Sequence, residues 1–180
     1  MKTTIKTAAA LLVAIAFIAT AVPLSDSGSS DAATDTAFTF TDDNGKTFTF
    51  DGPVDHLVVF GYGACVTVAE TGNLSKIIGA DKYSQYDYYK DTRLQNMKAY
   101  DLGSPYANDF SEVVKWLVQQ VENGSFDKTK DAVIMTSSTN LNTYLLPALE
   151  EKGFANIIYW KSTSENYSDL VACVGSISQL

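Results

Sequence analysis

The spacing of apolar residues changes character twice along this chain, and the changes mark out its elements. From Ala37 to Gly52, phenylalanine alternates with threonine on both sides of Asn44-Gly45. A period of two places Phe38, Phe40, Phe48 and Phe50 on one face of paired strands. Asn-Gly favours a two-residue hairpin loop, whose central positions both need positive φ, so an antiparallel β-hairpin is expected, ended by Pro53.

Alternation then gives way to short apolar runs separated by stretches of helical period. Strands are expected near Leu57–Phe60, Lys76–Gly79, Ala99–Leu102, Ala132–Thr136 and Asn156–Trp160. Helices are expected near Ala64–Thr71, Asp109–Asn123 and Leu141–Lys152, with a last one starting around Ser164 or Tyr167. Val113, Val114, Leu117, Val118 and Val121 form the stripe of the second helix, with Asn108 or Asp109 as its cap and Gly124 as its stop. Strands alternating with helices of this length predict an α/β fold, an opening β-hairpin followed by a doubly wound, mostly parallel sheet.

The N-terminus reads differently. Lys2 and Lys6 precede an apolar run from Ala8 to Ile18, and Ala19-Thr20-Ala21 gives a small-x-small cleavage pattern. Residues 1–21 are therefore expected to be a secretory signal peptide; the competing reading is an uncleaved anchor, the apolar run being extended by Val22 to Leu24. Residues 22–36, rich in Ser, Asp, Ala and Gly, form a linker with too little apolar surface to offset its ordering entropy. The folded domain is expected over 37–180. In its last stretch Leu170, Val171, Val174 and Ile177 keep helical spacing up to Leu180 without a cap, which reads as one lobe of a truncated larger protein.

Composition narrows the function. A chain of 180 residues with 46% hydrophobic and 12% aromatic residues holds one domain with a real core. A net charge of -8 with no basic stripe argues against nucleic acid as a partner. Two cysteines and one histidine cannot form a structural zinc site, and Cys65 and Cys173, each within a helical stretch, read as core thiols in preference to a bridge. Catalysis lacks its parts: His56 precedes the first parallel strand, away from the strand ends, and Asp81, Asp87, Asp91 and Asp101 show no spacing for paired roles.

Parallel strands open their C-terminal ends onto a crevice, and the loops expected there are aromatic, small and rich in hydroxyls. Tyr62, Tyr83, Tyr86, Tyr88, Tyr89 and Tyr106 fall on or beside them, where phenol rings stack on flat ligands and phenol groups bond polar rims. Tyr62 and Tyr83 lead this set, Trp160 at the end of the fifth parallel strand follows, and Trp116 on an apolar helix face reads as core. Gly61 and Gly63 serve either close ligand approach or the strand-to-helix turn itself. Ser137, Ser138 and Thr139 serve either a ligand or a helix cap. The G-x-G lacks the third glycine and the lysine that nucleotide phosphates require.

With these elements placed, the chain resembles the N-terminal lobe of the metal-chelate class of extracytoplasmic substrate-binding proteins, which serve ABC importers of ferric siderophores, haem and cobalamin. Between Thr36 and Gly61, Asp42, Gly45, Lys46, Phe48 and Phe50 match a D-x-x-G-R/K-x-V/F-x-F opening ahead of a proline and a first strand. GACVTVAETGNLSKIIGADKYSQY is similar to the family's first helix and second strand, AYDLGSPYANDFSEVVKW to its third strand and following helix, and DAVIMTSSTNLNTYLLPALEEKGFANIIYW to its fourth strand, serine-rich loop, helix and fifth strand. The resemblance implies a binding protein, not an enzyme, with no resident cofactor or metal. It implies a metal chelate bound by Tyr62, Gly63, Tyr83, Tyr86, Tyr106, Ser138 and Trp160, and an ABC permease met through Glu70. The chain would act outside the cytoplasm. The competing expectation is a surface adhesion or scaffold module using the same fold without small-ligand transport; a metal-dependent oxidoreductase component is disfavoured by the missing Cys and His ligands.

Overall fold

The structure is a computed structural model that describes residues 37–85 and 91–160. The expected signal peptide, the linker, Tyr86, Asp87, Tyr88, Tyr89, Cys173 and the last helix lie outside the described residues.

The hairpin forms as the alternation requires, from β1 (Phe38–Thr41) and β2 (Thr47–Phe50), with Phe38 opposite Phe50 and Thr41 opposite Thr47. Its loop differs from expectation. Asp42 N–H donates to the Lys46 carbonyl at 2.9 Å and Gly45 N–H to the Asp42 carbonyl at 2.9 Å, so Asp43, Asn44 and Gly45 all lie in the loop. Gly45 alone supplies the positive φ, at 79°, as in a turn followed by a left-handed residue. The cause is Asp42, whose Oδ1 accepts from the N–H of Asn44 at 3.0 Å and of Lys46 at 2.9 Å, holding the longer loop closed.

The main sheet contains β3 (Leu57–Phe60), β4 (Ile77–Ala80), β5 (Tyr100–Asp101), β6 (Ala132–Met135) and β7 (Ile157–Tyr159). They run parallel in the order β5-β4-β3-β6-β7. The unbroken apolar runs LVVF and AVIM follow from burial on both faces. Leu57, Val59, Ala132 and Ile134 meet the hairpin phenylalanines, while Val58, Phe60, Val133 and Met135 meet the opposite helical layer. Full burial of each of these side chains other than Ala132 contributes about 1.5–3 kcal/mol, so the two central strands anchor both cores.

Helix α1 (Tyr62–Glu70) packs with the hairpin side, and α3 (Ser111–Glu122) and α4 (Leu146–Glu151) cover the other face. The cap position of α3 is taken by Phe110, not by Asn108 or Asp109; Asp109, one residue earlier, accepts the Ser111 N–H at 2.8 Å, and Gly124, at φ 77°, follows the helix end at Asn123. The third expected helix is two pieces: a π-helical turn at Leu141–Leu145 leads into α4. Pro147 has no N–H to donate to the preceding turn, which favours the wider winding there. A four-residue helix, α2 (Thr92–Gln95), was not expected; Asp91 caps it by accepting from Arg93 N–H. Trp116 is only partly buried and stacks on Tyr100 with centroids 4.5 Å apart. Among the described residues no helix is long and apolar enough to cross a membrane.

The hairpin also covers an edge of the main sheet. Asp43 N–H donates to the Tyr159 carbonyl at 3.1 Å, and Asp42 Oδ2 accepts the Tyr159 N–H at 3.0 Å, so β7 does not present a bare ladder there. Asp42 thus accepts three backbone N–H groups. Asp42→Ala is expected to lower stability by about 1–3 kcal/mol, the cost of donors left without an acceptor, and to speed hydrogen exchange at Tyr159. Chemical denaturation with amide exchange checks this; unchanged stability and exchange would refute the role.

Candidate functional site

The chain order of the sheet reverses between β3 and β6, and in open parallel sheets the crevice above such a reversal is where ligands bind. The ends of these strands are Phe60 and Met135, so the crevice begins at Gly61 and Thr136. Gly61 has φ 123° and ψ 126°, a conformation that side chains rarely adopt. A Cβ there would run into the Thr136 side chain. The backbone geometry and the close approach to Thr136 therefore account for Gly61 without invoking a ligand.

The neighbouring loops are laced together from strand to strand. Asp81, 1% exposed, follows β4 and accepts the Gly61 N–H at 2.6 Å on Oδ2, the Ser84 hydroxyl at 2.8 Å on the same oxygen, and the Tyr83 N–H at 3.0 Å on Oδ1. Lys82 N–H donates to the Gly103 carbonyl at 2.9 Å, which ties this loop to the one after β5. Ser138 Oγ donates to the Pro105 carbonyl at 2.9 Å. Asn140 Nδ2 donates to the carbonyls of Tyr106 and Ala107 and to Asn108 Oδ1 at 2.7 Å.

This lacing brings part of the expected set together. Tyr83 and Tyr106 have ring centroids 6.0 Å apart with planes tilted by 51°, and the Tyr83 hydroxyl lies 3.5 Å from Ser104 Oγ. Lys82 Nζ sits 5.0 Å from the Tyr83 ring centre, a cation against a π face. Tyr106 is 67% exposed and is the open side of the group. Ser138 belongs to the same region through Pro105, with its hydroxyl spent on that carbonyl.

The other expected residues are placed differently. Tyr62 opens α1 and, partly buried, packs against the core on the hairpin side. Gly63 lies in the first turn of α1, where its carbonyl accepts the Thr67 hydroxyl at 2.9 Å. Trp160 is 4% exposed within that same core, and its buried indole N–H has no hydrogen-bond partner. Tyr86 lies outside the described residues. Sequence reasoning missed Asn140 and the structural use of Asp81. The signal for Asp81 was present as Asp-Lys-Tyr-Ser directly after an apolar strand, a pattern in which the carboxylate accepts from the N–H two residues on.

Glu70 stands at the far end of α1 from these loops, half-exposed, with Oε1 2.8 Å from Arg93 Nη2. Arg93 also bonds Asp91, and this contact holds the Asp91 carboxyl below the usual carboxylate range. His56 lies at the opposite end of the sheet, where its N–H and Nδ1 donate to Asp131 at 2.9 and 3.1 Å. Among the described residues no group of three or more His, Cys, Asp or Glu is placed to hold a metal ion. A groove of 660 Å³ runs along α3 and α4 past Val114, Val118, Tyr144 and Ala148, and one of 620 Å³ lies by Leu74, Ile78, Arg93 and Met97, on the flanks of the sheet.

No family model and no curated protein matches this sequence. Among solved structures, the chain is similar to Ceue of Helicobacter pylori with Ni(II) bound, at 14% identity and a TM-score of 0.51. The match covers 77% of this chain and 41% of that one. The likeness is one of fold. It shows the α/β architecture expected from the sequence, shared with part of a protein more than twice as long as the matched region. An ABC-type Fe3+-hydroxamate transport system from Saccharomonospora viridis is also similar, at 18% identity and a TM-score of 0.43, over 68% of this chain and 38% of that one.

Cys65 is a free, buried thiol under the Gly61 turn, and burial pushes it from 9.0 up to about 12; the Ser84 hydroxyl opposes the shift and the Asp81 charge adds to it. The unfolded chain releases this proton more easily than the folded one. The thiol's contribution to stability is therefore present below pH 9 and is lost as pH rises from 9 towards 12. Alkylation of Cys65 at pH 8, read on its peptide by mass spectrometry, is expected to require unfolding; rapid labelling of the folded chain would contradict the burial.

Proposed function

We propose that this chain is the ligand-binding lobe of an extracytoplasmic solute-binding component of an ABC importer, taking a metal chelate such as a ferric siderophore, haem or a corrinoid. The observation that carries the reading is the Tyr83, Ser104 and Tyr106 group on the C-terminal loops of a parallel sheet, beside the point where strand order reverses. Two tilted rings with one face open and a lysine behind them suit a flat or chelated ligand with a polar, electron-rich rim. The shared fold with Ceue, described with Ni(II) bound, supports the class of cargo.

Function here is binding and delivery, without bond chemistry. Stacking on Tyr106 and Tyr83 supplies apolar contact, while the hydroxyls of Tyr83 and Ser104 orient the rim. Tyr62, Gly63, Ser138 and Trp160 act in this proposal as the walls and floor that hold those loops. Delivery requires a permease at the membrane, and Glu70 is the proposed contact; its carboxylate would exchange Arg93 for a basic group on the permease. The N-terminal export signal belongs to the same proposal, since a chelate importer works outside the cytoplasm.

The test is a titration of the chain with a ferric hydroxamate, haem and a corrinoid, followed by tryptophan and tyrosine fluorescence and by native mass spectrometry. A one-to-one adduct with one of them is expected. Tyr106→Ala and Tyr83→Ala should each weaken it by roughly 0.5–1.5 kcal/mol, about two- to tenfold in Kd. Failure of all three ligands to bind, or binding that neither substitution alters, would overturn the proposal.

A further inference from the structure

Asp81 does more than sit near the loops. Its carboxylate is buried beneath them, and each of its oxygens is directed at a group on a loop at the C-terminal end of the sheet: Oδ2 at the Gly61 N–H, 2.6 Å away, and Oδ1 at the Tyr83 N–H, 3.0 Å away. Gly61 leads directly into Tyr62 and Tyr83 carries the ring that faces Tyr106, so one carboxylate holds both approaches to the crevice. The Ser84 hydroxyl, at 2.8 Å, is a second donor to Oδ2 and the third to the carboxylate, and it fixes the carboxylate's rotation. The Asp81 backbone is held in turn, its N–H donating to the Val59 carbonyl at 3.2 Å. A planar group held from three directions has little freedom to turn.

We propose that Asp81 is the positioning residue of the binding face, setting the separation between the Gly61 turn and the Tyr83 ring; its consequence for ligand affinity rests on the chelate-binding reading above. Only a carboxylate meets the demand. An amide in its place keeps one acceptor oxygen and turns an NH2 toward a donor. With the oxygen at the Oδ2 position, the Tyr83 N–H faces a second N–H; with it at the Oδ1 position, the Gly61 N–H and the Ser84 hydroxyl lose their acceptor. Asp81→Asn therefore preserves shape and breaks at least one link in either orientation.

The first arm of the test uses no ligand. Amide hydrogen exchange is measured by NMR on the 180-residue chain and on Asp81→Asn, comparing Gly61 and Tyr83 with Ile134 in the buried β6. The expected result is exchange faster by about tenfold or more at Gly61 or Tyr83, with Ile134 following only the change in global stability. Uniform acceleration, or none at the two loops, would overturn the proposal, because a residue needed only for general stability shifts all sites together. Should Asp81→Asn fail to fold, Ser84→Ala removes one donor and leaves the carboxylate; it is expected to speed the same amides by a smaller factor, and no local effect would count against the role. The second arm titrates a ferric hydroxamate, and Asp81→Asn is expected to weaken its binding by about tenfold. Loop exchange that responds while the unaltered chain binds no chelate supports Asp81 as the positioning residue and overturns the chelate-binding reading instead. Unaltered affinity in a variant with loosened loops overturns the link from positioning to binding.

Discussion

The hydrogen bond from Gly61 N–H to the Asp81 carboxylate joins the ends of β3 and β4 where the chain passes from core to surface. Parallel neighbours meet side by side at their C-terminal ends, and their backbones run out of ladder partners at the same height. A buried carboxylate there replaces the missing ladder acceptors, and the N–H groups it satisfies would cost about 1–3 kcal/mol each if left alone. The same device recurs at two other places. Asp42 closes the hairpin loop onto β7, and Asp131, beside the start of β6, accepts the His56 and Asp127 N–H groups at 2.9 and 2.8 Å. Three buried aspartates thus splice the places where regular hydrogen bonding stops, and the sheet between them can be almost entirely apolar.

That division explains what could be read from the sequence. LVVF and AVIM are unbroken apolar runs because both faces of β3 and β6 are covered, and the two phases of each run feed two separate cores. The hairpin phenylalanines and the stripe of α3 were legible for the same reason, since burial imposes a period. Where polar groups decide the backbone, the period is silent. The hairpin loop took an extra residue because Asp42 accepts from both Asn44 and Lys46, and α2 forms within a polar stretch on the strength of its Asp91 cap.

The candidate site was legible in part. Loop positions follow from strand ends, so Tyr83 and Tyr106 could be assigned to one face before the structure showed their rings 6.0 Å apart. Depth could not be assigned in that way. Trp160 follows β7 in sequence but turns into the core that contains the hairpin phenylalanines, and its indole N–H is left without a partner. Ser138 reaches the expected loops and spends its hydroxyl on Pro105, a long-range contact that no local pattern encodes. Sequence spacing tells which edge a residue occupies; which way it faces depends on partners far away in the chain.

A sheet built in this way presents a laced rim, with Tyr106 open to solvent beside the half-buried Tyr83. In the proposed function, ligand meets the chain at that rim. The most direct measurement is paramagnetic broadening of amide signals in the isotope-labelled chain as a high-spin ferric hydroxamate is added. Broadening is expected to centre on Gly61 to Gly63, Tyr83, Ser104 to Tyr106 and Ser138. Broadening centred on the groove along α3 and α4, or on the Asp131 end of the sheet, would contradict it.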